Sequence, residues 1–185
     1  MTTSANLTVQ LYGGEEAPQI ADELIAVYAD VYSIEPYAGD PFFSVPSYID
    51  RLHAAFEMKG FGVLTGRADD GTLVGYVHGV TLDPERAWWV SLGGARPADA
   101  VRAAEDGDVF WLRELMTLPG FQNRGIGHAL HDHIVRARPE AWTTLTCIVD
   151  NEPARSAYPR WGYEVIGRIK HADESPLYDA MVLRP

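Results

Sequence analysis

The chain has little cysteine, few basic residues and no long apolar run, and each shortage closes off a class of protein. A single cysteine, Cys147, in 185 residues excludes an intramolecular disulfide and a cysteine-based metal cluster. With 15 Lys+Arg against 26 Asp+Glu, the formal net charge is −11 and the pI is near 4.8. Such a surface has nothing with which to displace counterions from a phosphate backbone, so non-specific nucleic-acid binding is not expected. It does favour attraction of cationic small molecules toward a carboxylate-lined cleft. No apolar stretch approaches the roughly 20 residues a membrane span needs. The opening residues Met1–Gln10 lack the basic start and apolar run of a leader, so a soluble, cytoplasmic protein is the expectation. At 46% hydrophobic and 22% charged the composition is ordinary for a globular chain, and the length suits one domain over residues 1–185.

Hydrophobic spacing predicts the elements. Leu7–Leu11 reads as a strand. A helix follows with Ile20, Leu24, Tyr28 and Val31 on one side and Glu15 and Glu16 at its start. Ser44 followed by Pro46 marks a second helix carrying Tyr48, Leu52 and Phe56, after a loop rich in aromatics, Pro36 and Gly39. Phe61–Thr65 and Leu73–Leu82 flank Asp69-Asp70-Gly71, a hairpin signal. Trp88–Leu92 reads as a further strand, and Gly93–Asp108 as a loop or loose helix. Then come strand Phe110–Leu118, helix Gly125–Ala137, strand Trp142–Val149, helix Pro153–Trp161, and closing strands Tyr163–Ile169 and Tyr178–Leu183. Two helical connections within this second half predict a mixed sheet covered on both faces.

The chemistry concentrates in Leu112–Gly127. A strand ends at Pro119, and a tight turn leads into a helix whose first backbone N–H groups, from about Asn123 to His128, have the positive end of the helix dipole behind them. Gly125 and Gly127 leave room for close approach, which suits a diphosphate and needs no metal. A Walker A loop is excluded because no Gly-Lys-Ser/Thr follows, and a dinucleotide fingerprint fails because Leu130 stands where a third glycine is wanted. On the glycines alone, an anion site and simple tight strand–helix packing stand level.

The spacing Gln122-x-x-Gly125-x-Gly127 after Thr117-x-Pro119 resembles the signature of the GNAT superfamily of acyl-CoA N-acetyltransferases, Gln/Arg-x-x-Gly-x-Gly/Ala after a strand ending Val-x-Pro. Downstream, Asn151-x-x-Ala154-x-x-x-Tyr158-x-x-x-Gly162-Tyr163 is similar to a second family pattern. Together they cover residues 110–163 closely, while the first half of the chain fits in element order only. The resemblance implies an α/β (α+β) fold with a mixed, mostly antiparallel central sheet and helices on both faces. It implies acetyl-CoA as co-substrate and no metal. Leu115, Met116 and Thr117 would offer backbone groups to the pantetheine arm and thioester, on a fourth strand that splays from the fifth. Gln122, Asn123, Arg124, Gly125, Ile126, Gly127 and His128 would hold the diphosphate, and Asn151 would touch the pantetheine. Thr117 stands in place of the usual valine, at a position where the backbone does the work.

Transfer to an amine needs a neutral nucleophile and a proton for the departing thiolate. Tyr158 matches the family's general-acid position, and a phenol near pKa 10 suits a thiolate; the alternative is an aromatic packed on the sheet. Glu114 lies three residues before Thr117 and is the base candidate, with a carboxylate paired to Arg113 or another neighbour as the alternative. Other relatives place a glutamate five residues before the asparagine; here that position is Thr146. His78 is a lesser base candidate. His128, His131 and His133 do not share one helix face, so a metal is not expected; His128 could serve the phosphates and the other two are expected in solvent. Cys147 reads as a small core residue. The amine pocket is expected from among Tyr32, Tyr37, Phe42, Phe43, Trp88, Trp89 and Trp111, with ordinary core positions as the alternative for most of them.

These readings make the chain an acetyl-CoA-dependent N-acetyltransferase acting by direct transfer on a basic small molecule, such as a polyamine or an aminoglycoside-like amine. The rivals are acetylation of a protein amine, a non-catalytic acyl-CoA sensor, and transfer to a hydroxyl or of a longer acyl chain. No nucleic acid or membrane is expected as partner, and a homodimer is left open because dimers are common in the resembled family.

Overall fold

The computed structural model describes residues 7–35 and 37–185. Expectations resting on Met1–Asn6 (no leader) and on Pro36 in the aromatic loop lie outside the described residues. The strands are β1 (Thr8–Gly13), β2 (Gly62–Arg67), β3 (Leu73–Thr81), β4 (Val109–Thr117), β5 (Trp142–Ile148), β6 (Glu164–Ile169) and β7 (Tyr178–Leu183). The α-helices are α1 (Ala21–Tyr32), α2 (Val45–Phe56), α3 (Ala87–Ser91), α4 (Ala98–Glu105), α5 (Ile126–Ala137) and α6 (Glu152–Arg160). The strand order is β1-β2-β3-β4-β5-β7-β6. Pairs β1/β2, β2/β3, β5/β7 and β6/β7 are antiparallel and β4/β5 is parallel, which is the mixed, mostly antiparallel sheet expected. The chain divides into two compact units, one running to Val80 and including Arg113–Ala137, the other Thr81–Leu112 with Arg138–Pro185.

In the first unit the Asp69-Asp70-Gly71 turn joins β2 to β3 as the sequence predicts. Gly71 takes φ +85°, which a side chain would resist, and Asp70 Oδ1 accepts from the Thr72 N–H at 2.9 Å. Ser44 caps α2 through the Ser47 N–H at 3.4 Å, and Tyr48, Leu52 and Phe56 are buried. The period of two along β3 then sends neighbours to opposite faces. A Cβ on Gly75 would lie 3.2 Å from Leu130 Cδ1 of α5 and 2.6 Å from the Met116 carbonyl oxygen. Tyr76, next in sequence, points the other way and bonds Tyr48 of α2 and the Leu24 carbonyl of α1. Helices therefore cover both faces. Because backbone cannot yield to a methyl at that distance, Gly75→Ala is expected to cost about 1–3 kcal/mol of stability, read as a lower urea midpoint. An unchanged midpoint would contradict this packing.

The second unit is built the same way. Gly167 of β6 faces Leu92, whose Cδ2 would be 2.8 Å from an added Cβ. On the opposite face Arg168 and, from α6, Arg155 both bind the buried Asp179 of β7, at 3.1 and 2.7 Å. Trp88–Leu92 is not the strand expected: Ala87–Ser91 is helical. A strand would bury Trp88, Val90 and Leu92 together. Instead Trp88, Trp89 and Leu92 are buried and Val90 is exposed, the pattern of a helix turn that a five-residue apolar run cannot distinguish by composition. Within Gly93–Asp108, α4 packs Ala100, Ala103 and Ala104 inward. At the first helix, Glu15 and Glu16 do not sit in the opening turn. A 3-10 turn at Ala17–Ile20 intervenes, Glu16 Oε2 accepts from the Gly13 N–H at 3.2 Å, and Asp22 and Glu23 occupy the first turn of α1.

Candidate active site

Beyond β4 the chain turns through Pro119–Phe121, and Gln122 folds back so that its Nε2 donates to the Thr117 carbonyl at 3.2 Å. This tie fixes the turn against the strand end, whose continuation is held by the Leu118 N–H on the Val74 carbonyl at 2.8 Å. Asn123 and Gly125 then adopt positive φ, +60° and +78°, and α5 starts at the buried Ile126. Through these two reversals the N–H groups of Asn123, Arg124 and Gly125 make no backbone hydrogen bond of good geometry among the described residues. A Cβ on Gly125 would meet nothing within 4 Å, and one on Gly127 only Thr117 Oγ1 at 3.8 Å. These donors, open space and a twelve-residue helix with its positive end behind them form a cradle whose chemistry fits a diphosphate.

The rest of α5 corrects the histidine reading. His131 is buried, not solvated, with Nδ1 3.2 Å from Asp132 Oδ1, and burial lowers its pKa. His128 is exposed and its Nε2 lies 3.4 Å from the same carboxylate, and His133 bonds the Ala129 carbonyl at 2.8 Å. Among the described residues no group of three or more His, Cys, Asp or Glu could hold a metal ion.

Glu114 lies in the same unit and is half-buried. Burial raises its pKa, and Arg51 and Arg113, its charged neighbours, act in the opposite sense. Its negative charge reaches the phenols of Tyr28, Tyr48 and Tyr76, whose pKa values burial already raises, that of Tyr28 to about 12. Tyr28 and Tyr48 are legible in sequence only as apolar helix positions, and nothing in the spacing of the three tyrosines marks them as neighbours of Glu114. They are held by stacking (Tyr28 on Tyr48, centroids 3.7 Å apart) and by hydrogen bonds, Tyr28 to the Phe43 carbonyl at 3.1 Å. Tyr32, Tyr37, Phe42 and Phe43 gather into one aromatic cluster. His78 is enclosed, with both ring nitrogens unpartnered among the described residues, and burial drives its pKa well below the usual value. Burial thus makes it a weaker base than an exposed imidazole.

In the second unit, the β4/β5 ladder runs from Val109↔Trp142 to Trp111↔Thr144, while β5 continues to Ile148 on its β7 side. Asn151 caps α6 by accepting from the Ala154 N–H at 3.4 Å, which leaves its Nδ2 to donate elsewhere. Tyr158 is buried on α6, its ring set edge-on to Trp161 and Tyr163 with centroids 5.3 and 5.4 Å away. Trp88, Trp89 and Trp111 are buried, and Trp88 packs against Trp89 and Trp111. Cys147 is core, as expected, and burial pushes its thiol up to about 12, far from a thiolate. Thr146 meets His171 of the β6–β7 connection, Oγ1 to Nε2 3.0 Å, a pairing across 25 residues that no local pattern announces.

Residues 24–163 match the model of the Acetyltransferase (GNAT) family. No curated protein matches the chain. Among solved structures it is similar to a GNAT-family acetyltransferase from Staphylococcus aureus Mu50 (13% identity, TM-score 0.65, covering 97% of this chain and 99% of the other). It is similar also to the PaiA N-acetyltransferase of Thermoplasma acidophilum solved with coenzyme A (15% identity, TM-score 0.60, 97% and 99%). A third likeness is a Corynebacterium glutamicum structure described as histone acetyltransferase HPA2 and related acetyltransferase (23% identity, TM-score 0.59, 97% and 96%). At these identities the structures speak for the fold alone, and the family model reaches the same fold from sequence. With the turn after Pro119 and the family match over residues 24–163 in agreement, the chain belongs to the GNAT family of acetyltransferases.

Proposed function

We propose that the protein transfers the acetyl group of acetyl-CoA directly to a primary amine of a small molecule. The observation that carries this is the turn at residues 122–128, where N–H groups without backbone partners and two glycines leave a cradle shaped for a diphosphate. Acetyl-CoA supplies the thioester carbonyl and the thiolate leaving group. Leu115, Met116 and Thr117 offer backbone N–H and C=O groups to the pantetheine and the carbonyl, and Asn151 Nδ2 donates to the pantetheine arm. Glu114 attracts the protonated amine and takes its proton, directly or through a water, so that the nitrogen attacks as a neutral base. Tyr158 gives its phenolic proton to the sulfur as the C–S bond breaks. The low content of basic residues agrees with an amine that is itself cationic in solution.

Because burial raises the Glu114 pKa, a fraction of the carboxyl stays protonated above the ordinary carboxylate range. The base exists only above that pKa, so kcat falls as pH falls through an inflection higher than 4.5. Glu114→Gln is expected to abolish this inflection and lower kcat by about 10²-fold. An unaltered pH profile would remove Glu114 from the role.

Calorimetry with acetyl-CoA and CoA, beside thiol release on a panel of amines, tests the whole reading. Saturable acetyl-CoA binding with turnover on a small amine supports it. Tight binding with no turnover on any amine favours an acyl-CoA sensor, turnover only on peptide amines favours a protein acceptor, and the product mass identifies transfer to oxygen or of another acyl group.

A further inference from the structure

The cluster around Glu114 holds charge of both signs, which a purely cationic acceptor does not need. Arg51, from the middle of α2, is half-buried beside the Tyr28–Tyr48 stack. Its Nη1 donates to the Phe42 carbonyl and its Nη2 to the Tyr28 hydroxyl, both at a long 3.4 Å, and its guanidinium lies 5.7 Å from the Phe42 ring centroid and 5.8 Å from that of Tyr48. These partners are all neutral. A guanidinium has five N–H donors in a planar fork, so most of this one's capacity is unmet by the described residues. In a chain with 26 acidic residues against 15 basic ones, Arg51 nonetheless makes no ion pair among the described residues. Arg51 and Arg113 are the charged groups that act on Glu114, and the Tyr28 and Tyr48 phenols feel both Glu114 and Arg51. A guanidinium set over an aromatic wall with neutral partners only, and a carboxylate acting on the same tyrosines, fit a ligand that carries both complementary charges.

We propose that the acceptor is zwitterionic: an amino acid or similar small molecule whose amine faces Glu114 and whose carboxylate is gripped by the Arg51 fork. This rests on the acetyl-transfer reading above and narrows its acceptor, away from polyamines and aminoglycoside-like amines. The physical reason is bidentate geometry. A carboxylate accepts two parallel N–H bonds from one guanidinium, whereas a second ammonium at that place would meet like charge. Arg113, also felt by Glu114 and donating from Nη1 to Met58 Sδ at 3.1 Å, adds to the positive side of the cluster.

The test uses matched pairs. Glycine, leucine, glutamine and phenylalanine, each beside its C-terminal amide, and spermidine are titrated into the protein saturated with CoA, and the same compounds are assayed for thiol release with acetyl-CoA. At least one amino acid is expected to bind, and to be acetylated, at least about tenfold better than its amide, a preference that runs against the lower basicity of the amide's amine. In Arg51→Met the acid-to-amide ratio is expected to fall toward one, and in Arg51→Lys to an intermediate value; the ratio cancels any general loss of packing around Tyr28. Equal or better binding of every amide, stronger binding of spermidine than of every acid, failure of every acid to bind, or an unchanged ratio in Arg51→Met would each overturn the proposal. Binding of the acid without thiol release upholds the anion site and counts instead against acetyl transfer.

Discussion

Tyr158→Phe is expected to lower kcat by about 10²- to 10³-fold while acetyl-CoA affinity stays within about twofold. The expected split follows from what the substitution leaves behind. The Tyr158 ring is buried and set edge-on to Trp161 and Tyr163, ring contacts that phenylalanine keeps. Only the phenolic oxygen is lost. In the proposed reaction that oxygen matters when the sulfur takes on negative charge, which is late in the reaction and absent from the ground-state complex. Steady-state kinetics with the best amine, beside calorimetry with acetyl-CoA, separates the two quantities. A kcat within about twofold of the parent would take Tyr158 out of the chemistry and leave it as a packing residue.

Gly125→Val is expected to weaken acetyl-CoA binding by about 100-fold or more without unfolding the protein. Gly125 has φ +78°, which a β-branched residue adopts only with strain, and its missing side chain faces open space. Valine there either fills the cradle or forces the backbone out of the conformation that leaves the Asn123–Gly125 N–H groups without backbone partners. The loss of about two charge-assisted hydrogen bonds accounts for a factor of that size. Gly120→Ala is the matched control: it lies in the same turn, its added Cβ meets nothing within 4 Å, and its φ is not positive. The control should bind within about twofold of the parent. Equal affinity in folded Gly125→Val protein would mean that the turn does not hold the phosphates.

Much of this was legible because it is written in short-range chemistry. Asp69-Asp70-Gly71 fixes its hairpin by a side-chain bond and a positive φ, both local. Ser44 and Asn151 each cap the helix that follows them, and Thr117–Gly127 encodes a strand end, a turn and a helix start within eleven residues. Where segments were misread, tertiary packing made the choice. Trp88–Leu92 is apolar enough for either element, and the burial of two adjacent tryptophans selects the helix. His131 carries no local sign of being buried while His133, two residues on, is not; the rotation of α5 against β2 decides it. The candidate site divides along the same line. Its glycines and its aromatic loop are visible in sequence, but nothing in the apolar stripe Tyr48, Leu52 and Phe56 singles out Arg51. Only the tyrosines gathered from α1, α2 and β3 show it beside Glu114.

The central claim is that the backbone after Pro119 grips a diphosphate. It is tested most directly by titrating acetyl-CoA and acetyl-pantetheine, which shares the thioester and pantetheine arm but lacks the nucleotide and its phosphates, into the wild-type protein by calorimetry. Acetyl-CoA is expected to saturate one site in the micromolar range, about 1–100 μM, with acetyl-pantetheine at least about 100-fold weaker. Equal affinity for the two, or no saturable heat with acetyl-CoA, would contradict it.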